Sequence, residues 1–199
     1  MGETTLQDRR LAANSHKTNK YTALKETALA FMNAQKHNPN LESKMDFDAL
    51  RALTTPLFSH TFGPTFSVSQ APRLQGSFTI DMFIKHLGGT IPHLEGWDIA
   101  VRGVVVDEVG ESVVVRSMYT MRVEGEEVEN DVVWWLELEE RPSGSEVGEG
   151  NEVNGGWKVR KSTEIVDSGA AGRIKELMMR GKGEGGGKVG RKDSAAVAE

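Results

Sequence analysis

Apolar positions along the chain recur with two periods, and the period changes near its middle. From Tyr21 onward, Leu24, Ala28, Phe31, Met32 and Gln35 return at helical spacing while Lys25, Glu26 and Asn33 fall elsewhere on the wheel. That spacing predicts an amphipathic helix ending near His37, stopped by Asn38-Pro39-Asn40. Asp46 is the expected N-cap of a second helix through Asp48, Ala49, Leu50 and Leu53, closed by Thr54-Thr55-Pro56. Residues 57–69 read as an extended, aromatic-rich segment broken at Gly63-Pro64. A third helix is capped by Thr79, carries Met82, Phe83, His86 and Leu87 on one face, and is expected to stop at Gly88-Gly89.

After the connection at 92–96 the period becomes two. Strands are predicted over 97–106, 112–123, 128–138 and 156–166, with turns at 107–110 and 124–126. Two of the three links are short, so the four strands should form an antiparallel meander. The third link, 139–155, is polar and Gly-rich and is expected to be a mobile hairpin loop. A short helix fits 170–179. Helices first and strands afterwards define an α+β fold, one curved sheet wrapped on three helices. Helices covering the concave face of such a sheet should leave a blind apolar cavity.

One strand is especially informative about that cavity. Asn130, Val132, Trp134, Leu136 and Leu138 share one face, and Asp131, Val133, Trp135 and Glu137 share the other. An apolar wall with one hydrogen-bonding group at its leading end suits a pocket, although Asn130 also reads as the last residue of a turn.

Composition narrows the function classes. The 199 residues allow one domain, placed at 19–180, with a polar arm at 1–18 expected to be disordered or loosely attached and a Gly-rich tail at 181–199 expected to be disordered. A net charge of -5 without clustered basic residues argues against nucleic acid. The absence of cysteine excludes disulfides, thiolate metal sites and a Cys nucleophile. No apolar run approaches the roughly 20 residues of a membrane span. The N-terminus lacks the apolar core of a signal peptide, and Leu6 stands where a myristoylation motif wants Ser or Thr. A soluble, cytoplasmic protein is the expectation.

Three stretches carry a family likeness: His60 followed by Pro64 within Phe58-Ser59-His60-Thr61-Phe62-Gly63-Pro64-Thr65-Phe66-Ser67, Asn130-Asp131-Val132, and Trp157-Lys158-Val159 leading into Glu164-Ile165-Val166-Asp167-Ser168. On these, the region from about Tyr21 to Met179 resembles the NTF2-like superfamily, the α+β cone of nuclear transport factor 2, scytalone dehydratase and ketosteroid isomerase. More narrowly it is similar to the SnoaL-like polyketide cyclases and isomerases of fungal secondary-metabolite clusters. The resemblance implies proton transfer next to a carbonyl (enolisation, aldol closure or dehydration) on a small hydrophobic substrate. It also implies no cofactor, no metal, and a homodimer formed through the outer face of the sheet. Fungal relatives often carry Asn-Glu-Tyr where this chain has Asn130-Asp131-Val132, so an aromatic hydroxyl is missing here. The superfamily also contains non-catalytic modules that bind an apolar ligand or a protein partner, which is the alternative reading.

Such chemistry needs a base titrating near neutrality and a donor for the enolate oxygen. His60 is the expected acid/base, with Phe62 of the same aromatic segment against the substrate. His86 either borders the cavity or packs beside Phe83 and Leu87. His93 ranks below it, and the seven-residue spacing of the two is no metal motif. Asn130 is the expected donor. Asp131 alternates to the opposite face and reaches substrate only if a bulge intervenes. Alternation places Asp167 with Trp157, Val159 and Ile165, the apolar face, as a catalytic carboxylate that could instead cap the last helix. It places Glu164 with Lys158, Arg160 and Ser162, outside, in a salt bridge; the family motif keeps it among the substrate contacts. Tyr119 shares the Val113, Val115 and Ser117 face and supplies a phenol to the pocket or packs in the core. Trp134 should line the cavity, and Trp135 should meet a dimer partner or solvent. The tail at 181–187 lacks the preceding strand and Lys-Ser/Thr ending of a phosphate loop.

Overall fold

A computed structural model describes residues 19–141 and 156–184; the arm at 1–18, most of the link at 139–155 and the tail from 185 lie outside the described residues. Helix α1 (Lys20–Ala34) begins where the Asn19 side chain accepts the Tyr21 N–H at 3.1 Å, and it buries Leu24, Ala28, Phe31 and Met32, the predicted stripe. Its C-terminus is tied to the sheet by the Trp97 indole, whose N–H donates to the Gln35 carbonyl at 2.8 Å. That bond satisfies a carbonyl the helix itself cannot reach. Helix α2 (Phe47–Leu53) is capped by Asp46, whose carboxylate accepts the Ala49 N–H at 2.8 Å.

Strand β1 (Thr54–Gly63) replaces the short extended segment expected there. It ends at Pro64, which has no N–H for a ladder and stands as the N-cap of a short helix, α3 (Thr65–Ser69), in a stretch expected to be extended. Helix α4 (Ile80–Thr90) starts at the Thr79 cap but runs through Gly88-Gly89; a turn over Ile91–His93 containing Pro92 follows it. Neither glycine adopts a positive φ, so neither acts as a left-handed stop, and the helix bears their lower propensity of about 1 kcal/mol each. Its buried residues are Phe83 and Ile84, while Met82, expected on that face, is 50% exposed.

The meander is as predicted: β2 (Gly96–Asp107), β3 (Ser112–Val123), β4 (Glu126–Glu140) and β5 (Trp157–Val166) pair antiparallel in sequence. The hairpin between β3 and β4 turns on Glu124 and Gly125, both at positive φ, the geometry that follows strand twist. β1 joins the far edge parallel to β5, giving the order β1-β5-β4-β3-β2. Helix α5 (Ser168–Glu184), longer than expected, lays Ile174 and Leu177 against β3 and β4. The inner face of β4 is buried at every predicted position from Asn130 to Leu138. Phe31 meets Trp134 edge-on at 5.7 Å between ring centres, which locks α1 to the sheet's centre. Among the described residues no helix is long and apolar enough to cross a membrane.

Candidate active site

A backbone irregularity decides which carboxylate enters the interior. Along β4 and β5, Glu137 faces Lys161 and Leu138 faces Val159, which leaves Arg160 without a partner of its own. This is a one-residue bulge, and it inverts the alternation from that point onward. Trp157 and Val159 point inward before it; Ser162 and Glu164 point inward after it. The predicted placement of the two carboxylates is therefore reversed. Glu164 keeps only 17% of its side chain accessible, whereas Asp167 is exposed and caps α5 by accepting the Gly169 and Ala170 N–H groups at 2.7 and 3.2 Å. Arg160 and Lys161, side by side across the bulge, both reach Glu137 on the outer face at 2.8 and 3.0 Å.

His60, on β1, is wholly buried. Backbone bonds to Phe78 at 2.8 Å in both directions fix its position. Its Nδ1 lies 2.8 Å from the Ser162 hydroxyl. Its Nε2 has no hydrogen-bond partner and stands 3.8 Å from Glu164 Oε2. The rings of Phe83, Phe62, Trp134 and Phe78 surround it at 4.2, 4.4, 5.7 and 6.2 Å between centres. That apolar cage disfavours charge on either member of the pair. Burial holds the imidazole at about 3, with the neighbouring His86 adding to the effect, and pushes the Glu164 carboxyl up to about 8. At neutral pH the pair is a neutral imidazole beside a neutral acid, and the imidazole is a far weaker base than the near-neutral one expected, because its cage does not solvate the charged form.

His86 sits half-buried at the rim, 5.1 Å from Phe62 and 6.0 Å from Phe78 between ring centres, with its own basicity lowered by burial. Phe62 stands opposite Glu164 in the β1–β5 ladder and is also half-buried. Tyr119 is buried; its hydroxyl accepts the Trp134 indole N–H at 3.0 Å, and burial together with Glu164 holds the phenol well above its usual range. An indole N–H only donates, so the phenolic proton is directed away from Trp134. Asn130 is buried opposite Tyr119, and its Oδ1 is unpartnered. Asp131 lies on the outer face in a bidentate pair with Arg116, which holds its carboxyl below the usual range, so it takes no part in the interior. His93 is half-buried in the turn after α4.

The open blind hollow expected from the cone is not what the side chains leave around His60, because the aromatic rings close on it. Two clefts lie elsewhere. One of about 500 Å³ is lined by Ala30, His37, Asp46 and Leu53 among others, and one of about 350 Å³ by Glu95, Trp97, Arg122 and Glu127 among others. The interior meets solvent at the Glu164 edge, beside Phe62. Sequence reasoning missed Ser162, Phe78 and Phe83 as parts of this site. Ser162 was detectable only as a hydroxyl two residues before Glu164, on the same face.

The curved five-stranded sheet with its covering helices is the fold of solved SnoaL-like proteins. Solved structures share it at low identity. PrhC from Penicillium brasilianum NBRC 6234 is 12% identical with a TM-score of 0.59, over 82% of this chain and 93% of that one. The BvnE pinacolase from Penicillium brevicompactum is 14% identical with a TM-score of 0.58, over 84% and 99%. A protein from Jannaschia Sp. CCS1 assigned as a SnoaL-like polyketide cyclase is 15% identical with a TM-score of 0.54, over 83% and 97%. The sequence matches no protein-family model and no curated protein.

Proposed function

We propose that the protein is a cofactor-independent acid–base enzyme that isomerises, cyclises or dehydrates an aromatic polyketide or meroterpenoid intermediate. The observation that carries this reading is the free Nε2 of His60, 3.8 Å from the Glu164 carboxyl inside an aromatic cage. A substrate that displaces the surrounding rings would set its carbonyl oxygen against the Glu164 carboxyl and the adjoining carbon against His60 Nε2. For an enolisation, Nε2 takes the proton from the carbon next to a carbonyl, and the C–H electron pair becomes the new C=C bond. The carbonyl oxygen takes the Glu164 proton and becomes an enol. The products of that step are an imidazolium and a carboxylate side by side, so the charges created stabilise each other where little water screens them. For Nε2 to be the base, Nδ1 carries the proton and donates it to Ser162 Oγ, a hydroxyl able to accept it. The phenol of Tyr119 is a further donor toward the same space. Asp167 and Asp131 have no part in the reaction.

The similarity to a polyketide cyclase-type protein and to a pinacolase supports the reaction class. The outer face supports the expected homodimer: Trp135 is 52% exposed, beside Val114 on β3, and Ile165 stands opposite Val133. Replacing Trp135 by Lys should shift the mass in solution from dimer to monomer; an unchanged mass removes this surface from the assembly.

The test of function is exchange of the acidic C–H of an aryl 1,3-diketone in D2O, followed by proton NMR. The wild type should accelerate it, and His60→Ala should slow the enzymatic rate by about 10²-fold or more, the typical share of general acid–base catalysis. Exchange no faster than in buffer would leave the non-catalytic binding module as the better reading.

A further inference from the structure

The rings that close on His60 are not held alike. Trp134 and Phe83 belong to the deep core: they meet each other at 6.3 Å, and Phe31 and Phe58 back them at 5.7 and 6.4 Å between ring centres. Phe62 and Phe78 have no such backing. They meet edge-on at 5.4 Å, and the other aromatic rings near them among the described residues are those of His60 and His86. The core fixes the inner two rings; the outer two can give way.

The outer two also bracket one segment of chain. Between Phe62 and Phe78 the backbone leaves β1, forms α3 and a single turn over Pro72–Leu74, and returns; from Pro64 to Ser77 no residue is buried, and Phe66 is 79% exposed. The segment's own hydrogen bonds keep its shape. Ser69 Oγ donates to the Phe66 carbonyl at 2.7 Å, and Gln75 Nε2 donates to the Val68 and Ser69 carbonyls at 3.3 and 3.1 Å.

Its tie to the sheet is short. Phe78 exchanges two backbone bonds with His60, an isolated bridge on the edge of β1 away from β5, and the Ser77 hydroxyl meets that of Ser59 at 2.7 Å. Gly76, at a φ of +85° with open space where a side chain would stand, precedes this tie and lets the chain swing there. Lifting Phe78 costs two backbone bonds and the burial of one ring, far less than unfolding the core.

We propose that residues 64–78 form a hinged strap that lifts Phe78 off His60 to admit substrate and sets it back to exclude water. The closed aromatic cage is then the resting state of the site. As a route for substrate the strap rests on the acid–base reading above; as a movement it does not.

A crosslink tests it. The chain has no cysteine, so Ser59→Cys with Ser77→Cys introduces the only two thiols, at side chains that already touch, and a disulfide between them ties the strap to β1. Diethyl pyrocarbonate reads the opening: a free imidazole nitrogen attacks one of its carbonyl carbons, the new N–C bond displaces monoethyl carbonate, and peptide mass mapping locates the label. His60 should label in the reduced variant and about tenfold more slowly in the oxidised one, while half-buried His37 labels alike in both. Equal labelling of His60 in the two forms overturns the strap, as does a His60 that never labels in the reduced form. In the wild type, the His60 and Phe78 amides should exchange with deuterium together and about tenfold or more faster than those of the β3–β4 ladder; protection equal to that ladder's also overturns it. Diketone exchange by the same two forms separates the readings. No catalysis by either, with His60 labelling still slowed by the disulfide, leaves the strap and removes the acid–base reading; equal catalysis by both removes the strap.

Discussion

Asp131 and Glu164 are carboxylates on neighbouring strands of one sheet, and the sheet makes opposite things of them. Asp131 faces outward, meets Arg116 in a bidentate pair and is held in its charged form. Glu164 faces inward, has no cation beside it and is pushed by burial toward its neutral form, titrating at about 8. The difference is one of side rather than of residue type. Water and a guanidinium stabilise charge on the convex face, while aromatic rings on the concave face withhold that stabilisation. A carboxylic acid that stays protonated at neutral pH can donate a proton; a salt-bridged carboxylate cannot.

The largest effects should come from the inner pair. Glu164→Gln keeps the shape of the side chain but removes the transferable proton, and should lower diketone exchange by about 10²-fold or more. Asp131→Asn, measured in the same assay, should leave the rate unchanged. A comparable loss in both variants would erase the distinction between the faces.

Stability against pH sharpens it further. Glu164 keeps its proton in the fold up to about 8 while the unfolded chain loses it near 4.5, so its burial is progressively penalised as pH rises between those values. His60 refuses a proton in the fold down to about 3 while the unfolded chain takes one near 6.5, so its burial is penalised as pH falls between those values. Between 4.5 and 6.5 these two slopes oppose each other, which leaves the loss on acidification that half-buried His86 adds, its basicity being lowered too. Denaturant titrations should therefore show only a shallow slope there. Above 6.5 stability should fall toward pH 8 by about 1.4 kcal/mol per pH unit, one proton's worth. Glu164→Gln should flatten that alkaline limb, and Asp131→Asn should leave it in place.

Much of this architecture is legible in the sequence. The helical stripe ending at Gln35, the Asp46 and Thr79 caps, the meander and the inner face from Asn130 to Leu138 all follow from local period and turn chemistry. Two features do not. The parallel pairing of β1 with β5 joins residues about a hundred positions apart, such as His60 and Ser162, and nothing local encodes it. The bulge at Arg160 contains neither Gly nor Pro, so strict alternation carries past it, puts Asp167 inside and Glu164 outside, and inverts the site. His60 was recognisable as a histidine in an aromatic run, but its partner was not, because the partner's orientation hangs on that single extra residue.

A smaller effect is expected at Ser162. Ser162→Ala removes the hydroxyl bonded to His60 Nδ1 and should lower kcat by about tenfold with KM little changed, as the loss of one positioning bond in the transition state requires. Glu164 would keep its titration in that variant. Smallest of all, Asp131→Asn should barely move the melting temperature, and what shift it causes should shrink with added salt, since the Arg116 pair is open to solvent.

The most direct measurement is the carbon-13 NMR titration of glutamate side-chain carboxyls, with Glu164 assigned by its absence in Glu164→Gln. Its resonance should remain that of the protonated acid through neutral pH and move with a midpoint close to 8. A midpoint near the ordinary 4.5 would mean the carboxyl is ionised beside His60, and the acid–base pair described here would not exist.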